Sequence, residues 1–340
     1  MAVRRGTSGL SLVVGVNKPA GMSSHDVVNS VRRVFGERRV GHTGTLDPLA
    51  TGALAVCVGP ATRLDHFLTA HDKTYRVRVI FGTSTTTDDA AGDVKETAAV
   101  PEEVFDPFFA QSFVASLVGR HKQMPPVYSA IKVEGKRSYE AARAGKIIDL
   151  KPRDIEIYEA QLLGIEESNT EGAAAWDIEV HVSKGTYIRS LARDIGVALD
   201  TCAYVGSLER LRAGNLRLED CVDLDVLEEK GTQAALDPVK LLGLRFMFAT
   251  EDQVIAIGYG KTLSVLQCPL YEAPQVLPTD YELCSCTAGA QPSCKPLCTG
   301  EIISVIAHNT LLALYEYDEQ SAVLKPRCVF VVGVSRGKDI

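Results

Sequence analysis

The segment Gly41-His42-Thr43-Gly44-Thr45-Leu46-Asp47-Pro48 sets a carboxylate in a loop bounded by glycines and a proline. An ionised aspartate there has the chemistry of a nucleophile or a proton acceptor. Two further residues make only a suggestive set with it: Tyr75, which heads the apolar face of an alternating run, and Arg189, which opens a helical pattern after Ser183-Lys184-Gly185. Taken one at a time, each has an ordinary structural reading. Asp before Pro commonly forms a turn, an arginine on a helix is commonly a surface charge, and a tyrosine at a strand end commonly packs with its hydroxyl wet. A second cluster, Cys284-x-Cys286-x7-Cys294-x3-Cys298, has the four thiols that a tetrahedral zinc site would use. It lacks Cys-x2-Cys knuckles and falls in a Thr/Gly/Pro-rich stretch, so it reads as an insertion that binds no metal.

The elements that must hold these residues are legible from periodicity. Ser23 or Ser24 caps a helix whose apolar positions are Val27, Val28, Val31, Val34 and Phe35, with Asp26 in the first turn and Gly36 as its stop. Arg32, Arg33, Arg38 and Arg39 make a basic edge leading into the Asp47 loop, a position suited to phosphate contact. Residues 53–58 form an apolar strand ended by Gly59-Pro60, and residues 74–81 alternate, with Tyr75, Val77, Val79 and Phe81 on one face and Arg76 and Arg78 on the other. Residues 83–93 are a polar loop, 102–118 a helix, 124–132 an extended segment, and the stretch around 136–143 a basic helix. Residues 176–182 alternate as a strand, after which Ile188, Leu191, Ala192, Ile195 and Leu199 follow helical spacing, with Arg189 and Arg193 one turn apart. Beyond about Thr250 short strands and turns dominate, including residues 302–307 and 311–317. There is no internal repeat of fixed period.

A chain of 340 residues is long enough for two domains. No apolar run approaches the roughly 20 residues of a membrane span. The N-terminal arginines and the short apolar stretch after them read as a flexible basic arm entering a first strand, not as a secretory leader. The net charge of -7 argues superficially against a polyanionic partner. Its distribution reverses that inference: residues 1–214 hold 26 Lys/Arg and 26 Asp/Glu, and the whole acidic excess lies after them. Nine cysteines, an odd number, point to reduced thiols and a cytoplasmic location.

The motifs taken together carry a resemblance. Asn17-Lys18-Pro19-Ala20-Gly21-Met22-Ser23-Ser24, the Gly41-to-Gly52 segment, Lys73-Thr74-Tyr75-Arg76-Val77 and Ser183-Lys184-Gly185-Thr186-Tyr187-Ile188-Arg189 occur in an order similar to that of the bacterial TruB-type tRNA pseudouridine synthases. Most of residues 13–215 take part, including Pro126-Val127-Tyr128-Ser129-Ala130-Ile131-Lys132 and Gly206-Ser207-Leu208-Glu209-Arg210-Leu211-Arg212. The C-terminal part resembles the family's RNA-binding PUA domain through Gly300-Glu301-Ile302-Ile303 and Leu324-Lys325-Pro326.

The resemblance implies a mixed α/β fold, with a central, largely antiparallel sheet flanked by helices and a small C-terminal β-rich domain. The implied organisation is an arm at 1–12, a catalytic domain at 13–248 and a PUA-like domain at 249–340 with a Cys-containing insertion at about 270–298. The implied reaction isomerises uridine 55 in the tRNA T loop and needs neither cofactor nor metal. Asp47 would be the catalytic carboxylate, as nucleophile or as base towards a glycal. Arg189 would pair with it, and Tyr75 would stack on the target base. His42 would fill the space the flipped base vacates. Lys18, Tyr187 and Leu208 would line or support the site. The implied partner is the T-arm of tRNA, met by a monomer, with no membrane and no small molecule involved. Two other readings stay open: a related synthase acting on rRNA within a guide-RNA complex, and an RNA-folding or RNA-binding module in which catalysis is incidental. A hydrolytic glycosidase fits poorly, because it usually needs two carboxylates across the bond.

Overall fold

The computed structural model describes residues 8–128, 132–133, 136–137, 150–167, 174–264, 269–272 and 293–337. Its main elements, in chain order, are β1 (Leu12–Lys18), α1 (Ser24–Phe35), β2 (Val40–His42), β3 (Thr51–Val58), β4 (Lys73–Phe81), α2 (Pro107–Ser116), β5 (Gly119–Gln123), β6 (Arg153–Glu167), β7 (Ala174–Val182), α3 (Ile188–Ala198) and β8 (Ala203–Ala213). There follow α4 (Leu224–Lys230), β9 (Ala235–Leu236), β10 (Phe246–Phe248), α5 (Glu251–Gly258), β11 (Leu263–Ser264), β12 (Ile302–Ala307), β13 (Thr310–Asp318) and β14 (Val323–Ser335). The chain divides into two compact units: Met1–Asp47, Ala53–Ala70 and Gly214–Ile340 form one, and Pro48–Gly52 with His71–Ala213 the other.

In the first unit α1 starts where its sequence says it should. Ser23 is the N-cap in a reciprocal capping box with Asp26, and Gly36 closes the helix in the left-handed region at φ 59°. β1 lies between β9 and β3, and β2 pairs with β3 in the register His42 to Val56. The strands β10, β12, β13, β14 and β11 form a five-stranded sheet in that order. One apolar cluster joins Val13, Ala53, Cys57 and Leu64 to Phe246, Ile306, Leu314 and Phe330, so this C-terminal sheet shares a core with β1 and β3. The expected boundary at 248 falls at the end of β10, a strand of that sheet. The region after Thr250 also contains a helix, α5, whose capping box of Thr250 and Gln253 is a readable start signal that strand patterning masks.

In the second unit the order is β8, β4, β7, β6, β5, with the first residues of β3 added parallel to β8 and the other ladders antiparallel. Helices α2 and α3 pack on it against β6 and β8. The alternation expected of β4 is present: Tyr75, Val77, Val79 and Phe81 are buried and Arg76 is exposed. Phe81 meets the fully buried Trp176 edge to face at 4.8 Å, and the Trp176 indole donates to the Val104 carbonyl at 2.8 Å. The outward arginines are matched across strands. Arg76 lies 3.6 Å from Glu179 and 3.8 Å from Glu209, and Arg78 pairs with Glu166 and Asp177.

The helix expected over 102–118 is shorter, because Asp106 caps and Pro107 starts α2 anew after a single 3-10 turn. Lys136–Arg137 pairs as a short strand with Lys132–Val133 instead of opening the expected basic helix. Residues 138–149, the start of the basic arm at 1–7, and Cys284 and Cys286 lie outside the described residues. Among the described residues no helix is long and apolar enough to cross a membrane, and no group of three or more His, Cys, Asp or Glu is placed to hold a metal ion.

Candidate functional site

Asp47, His42 and Lys18 belong to the first unit, and Tyr75, Tyr187, Arg189 and Leu208 to the second. The Asp47 loop joins β2 to β3, and its backbone is fixed on both sides of the bend. Thr43 donates its N–H to the Ala55 carbonyl at 3.0 Å. Immediately before Asp47, the buried Leu46 is tied to the first residue of α1: the Ser24 hydroxyl accepts from the Leu46 N–H at 2.8 Å and donates to the Leu46 carbonyl at 3.0 Å. Asp47 itself is half-buried, as is His42, whose backbone pairs with Val56. Lys18 is fully buried at the end of β1, and its ammonium donates to the carbonyls of Pro19 at 2.8 Å and Met22 at 2.6 Å. Those bonds brace the turn that leads into α1.

Within the second unit Tyr75, Arg210 and Leu208 come together on neighbouring strands. Tyr75 is buried on β4, opposite Val180 of β7 and Arg210 of β8, while Leu208 sits opposite Val77. The start of β3 is pressed against the same strand. Gly52, at φ 102°, faces Arg210 so closely that a Cβ there would lie 2.8 Å from the Arg210 nitrogen and closer still to its carbonyl oxygen. Only glycine fits this approach, and it fixes the chain five residues after Asp47. Lys73, two residues before Tyr75, is buried. Burial, reinforced by Arg210, lowers its ammonium to about 8.

Arg189 is the second residue of α3 and is buried. Its guanidinium donates to the carbonyls of Thr87 at 3.1 Å and Tyr128 at 2.9 Å, and stands 3.7 Å from the Asp89 carboxylate. Asp89, itself buried, accepts from the Thr87 hydroxyl at 2.6 Å and the Ala91 N–H at 3.0 Å, so its loop is self-braced beneath the arginine. One turn on, Arg193 pairs with Asp88 at 3.0 Å, and burial raises the Asp88 carboxyl despite that partner. Asp88 and Asp89 carry no motif of their own, since residues 83–93 read as a polar loop. The available signal was a pair of adjacent acids in one segment and a pair of arginines one turn apart in another. Tyr187 is the N-cap of α3, held by the carboxamide of Gln123.

The chemical inventory is therefore a half-buried carboxylate on a braced loop, a buried aromatic on a central strand, and a buried guanidinium aimed by backbone carbonyls and a second carboxylate. Residues 32–188 match the family described as TruB family pseudouridylate synthase, N-terminal domain. The chain is similar to proteins named tRNA pseudouridine synthase B. It is 42% identical to that of Mycobacterium sp. (strain KMS) over 253 residues, covering 74% of this chain and 84% of the relative. It is 42% identical to that of Bacillus thuringiensis (strain Al Hakam) over 227 residues, covering 67% and 74%. It is 40% identical to that of Deinococcus radiodurans over 251 residues, covering 66% and 81%. Among solved structures, a Cbf5-Nop10-Gar1 complex is similar in fold at TM-score 0.65 and 22% identity, over 97% of this chain and 87% of that one.

Proposed function

Because this chain belongs to the TruB family of pseudouridylate synthases, we propose that it isomerises uridine 55 in the T loop of tRNA to pseudouridine, with Asp47 as the catalytic carboxylate. The supporting observation is identity at 42% over 84% of a relative named for action on tRNA, whereas the likeness to the Cbf5-Nop10-Gar1 complex is at 22% identity and concerns the fold. The reaction breaks the N1–C1′ bond, turns the base and forms the C5–C1′ bond, and the proton lost from C5 is balanced by one gained at N1. No atom is lost and no electron is transferred to another molecule, so the chemistry asks for no cofactor. Asp47 acts either by covalent attack or by taking a proton from C2′. Arg189 pairs with the carboxylate and keeps it aimed, Tyr75 stacks on the base, and His42 fills the gap left in the T loop. Lys18, Tyr187 and Leu208 support these groups, and the enzyme meets the T-arm as a cytoplasmic monomer.

Incubation of unmodified tRNA with the wild type and with Asp47→Ala, followed by mapping of pseudouridine, tests this reading. The wild type should modify the T loop and the variant should leave it unmodified. Modification elsewhere, or equal activity of the two proteins, would overturn it.

A further inference from the structure

The start of α3 lacks an ordinary cap. Tyr187, its N-cap, is extended at φ -101° and ψ 112°, and its side chain makes no capping hydrogen bond. Its backbone N–H and carbonyl are instead both held by a side chain from another strand. The Gln123 carboxamide accepts from the Tyr187 N–H at 2.8 Å and donates to the Tyr187 carbonyl at 3.1 Å, the same oxygen that receives the first helical bond from Leu191 at 3.0 Å. A primary amide with one acceptor and one donor thus imitates the peptide of a neighbouring strand. Gln123 is only 3% exposed and closes β5, opposite Arg153 of β6, so its own position is rigid. The residue after it repeats the connection: the Met124 carbonyl accepts from the Ser190 hydroxyl and from Arg193, both at 2.8 Å.

We infer that Gln123 is a positioning residue for the proposed reaction, acting through Tyr187 and Arg189 by fixing the rotation and rise of the first turn of α3. Arg189 lies two residues from the clamped Tyr187, and its guanidinium is aimed by the carbonyls of Thr87 and Tyr128. A displacement of about 1 Å at the helix start is enough to spoil such aim, and misplacement on that scale costs on the order of 100-fold in rate. The side chain is specified closely. Glutamate keeps the acceptor and loses the donor, asparagine is a methylene too short, and methionine fills the space with neither bond. This inference rests on the pseudouridine synthase reading.

The test compares Gln123→Met and Gln123→Glu with the wild type in single-turnover formation of pseudouridine on tRNA, alongside tRNA binding. The expected result is a rate lowered by roughly 100-fold with binding changed less than about 3-fold. In an Arg189→Ala background, Gln123→Met should lower the rate little further, because the two changes remove one effect. The Glu variant should gain rate relative to the wild type as pH falls, since a protonated carboxyl regains the donor, and this signature does not depend on how the Met variant folds. Full rate in both variants, equal losses of rate and binding, or full additivity with Arg189→Ala would overturn the inference. A wild type that makes no pseudouridine would overturn the functional reading, and this inference with it.

Discussion

At the scale of single residues, the side chains that matter most for the carboxylate are those that hold its backbone. Ser24 satisfies both polar groups of Leu46 in a buried setting. Ser24→Ala is therefore expected to cost about 1–3 kcal/mol in a denaturant titration and to lower the rate of pseudouridine formation while tRNA binding holds. Asp89 is the carboxylate that stands beside Arg189 within its own unit. Asp89→Asn keeps the oxygen that braces Thr87 and Ala91 but removes the charge beside the guanidinium, and should reduce the rate roughly 10-fold, with Asp89→Ala worse. Lys73 supplies a pH prediction. Its ammonium sits at about 8, below the usual value for lysine, so the unfolded chain binds this proton more tightly than the folded one. The penalty is present in full below pH 8 and is relieved as pH rises towards the unfolded value near 10.4. The stability of the wild type relative to Lys73→Met should accordingly increase across that window. No part of the Lys73 effect could be read from its motif, because burial by neighbouring strands causes it.

At the scale of elements, local pattern and tertiary contact divide the explanation. The capping box at Ser23 and Asp26, the alternation of β4 and the apolar face of α3 are encoded within a few residues, and all three appear where periodicity places them. The loop at 83–93 is the opposite case. Its composition announces only a loop, and its use depends on Val205, whose backbone pairs with Asp88 and Ala90, and on two arginines of α3. The outward arginines of β4 are likewise met by acids on β6, β7 and β8, which lie far from them in sequence; such exposed pairs contribute about 0–1 kcal/mol each and mainly set charge balance. Gly52 marks where β3 and β8 nearly touch. Gly52→Ala must push Arg210 aside or unpair Thr51 from Glu209, and is expected to lower Tm by about 5 °C or more together with activity.

At the scale of the whole molecule, the C-terminal residues are structural partners of β1 and β3 within their unit. The buried Asp237 accepts from Arg336 through both carboxylate oxygens, close to the last described residue. Removing one member of such a pair leaves an uncompensated charge, so Arg336→Met is expected to destabilise by about 3–5 kcal/mol. A chain cut after residue 248 would expose Cys57, Leu64 and Phe246 and should fail to give a cooperative unfolding transition, a result that circular dichroism with heating would show. The sequence by itself determined the family, the mixed α/β class and the order of the motifs, because these depend on residue identity and on periods of two and 3.6 that act over short range. Tertiary structure decided what those motifs touch. That Arg189 is aimed by Thr87, Tyr128 and Asp89, that Gln123 starts α3, and that Lys73 is buried against β7 and β8 all depend on segments tens of residues apart, where burial and hydrogen-bond geometry, not spacing, select the partner.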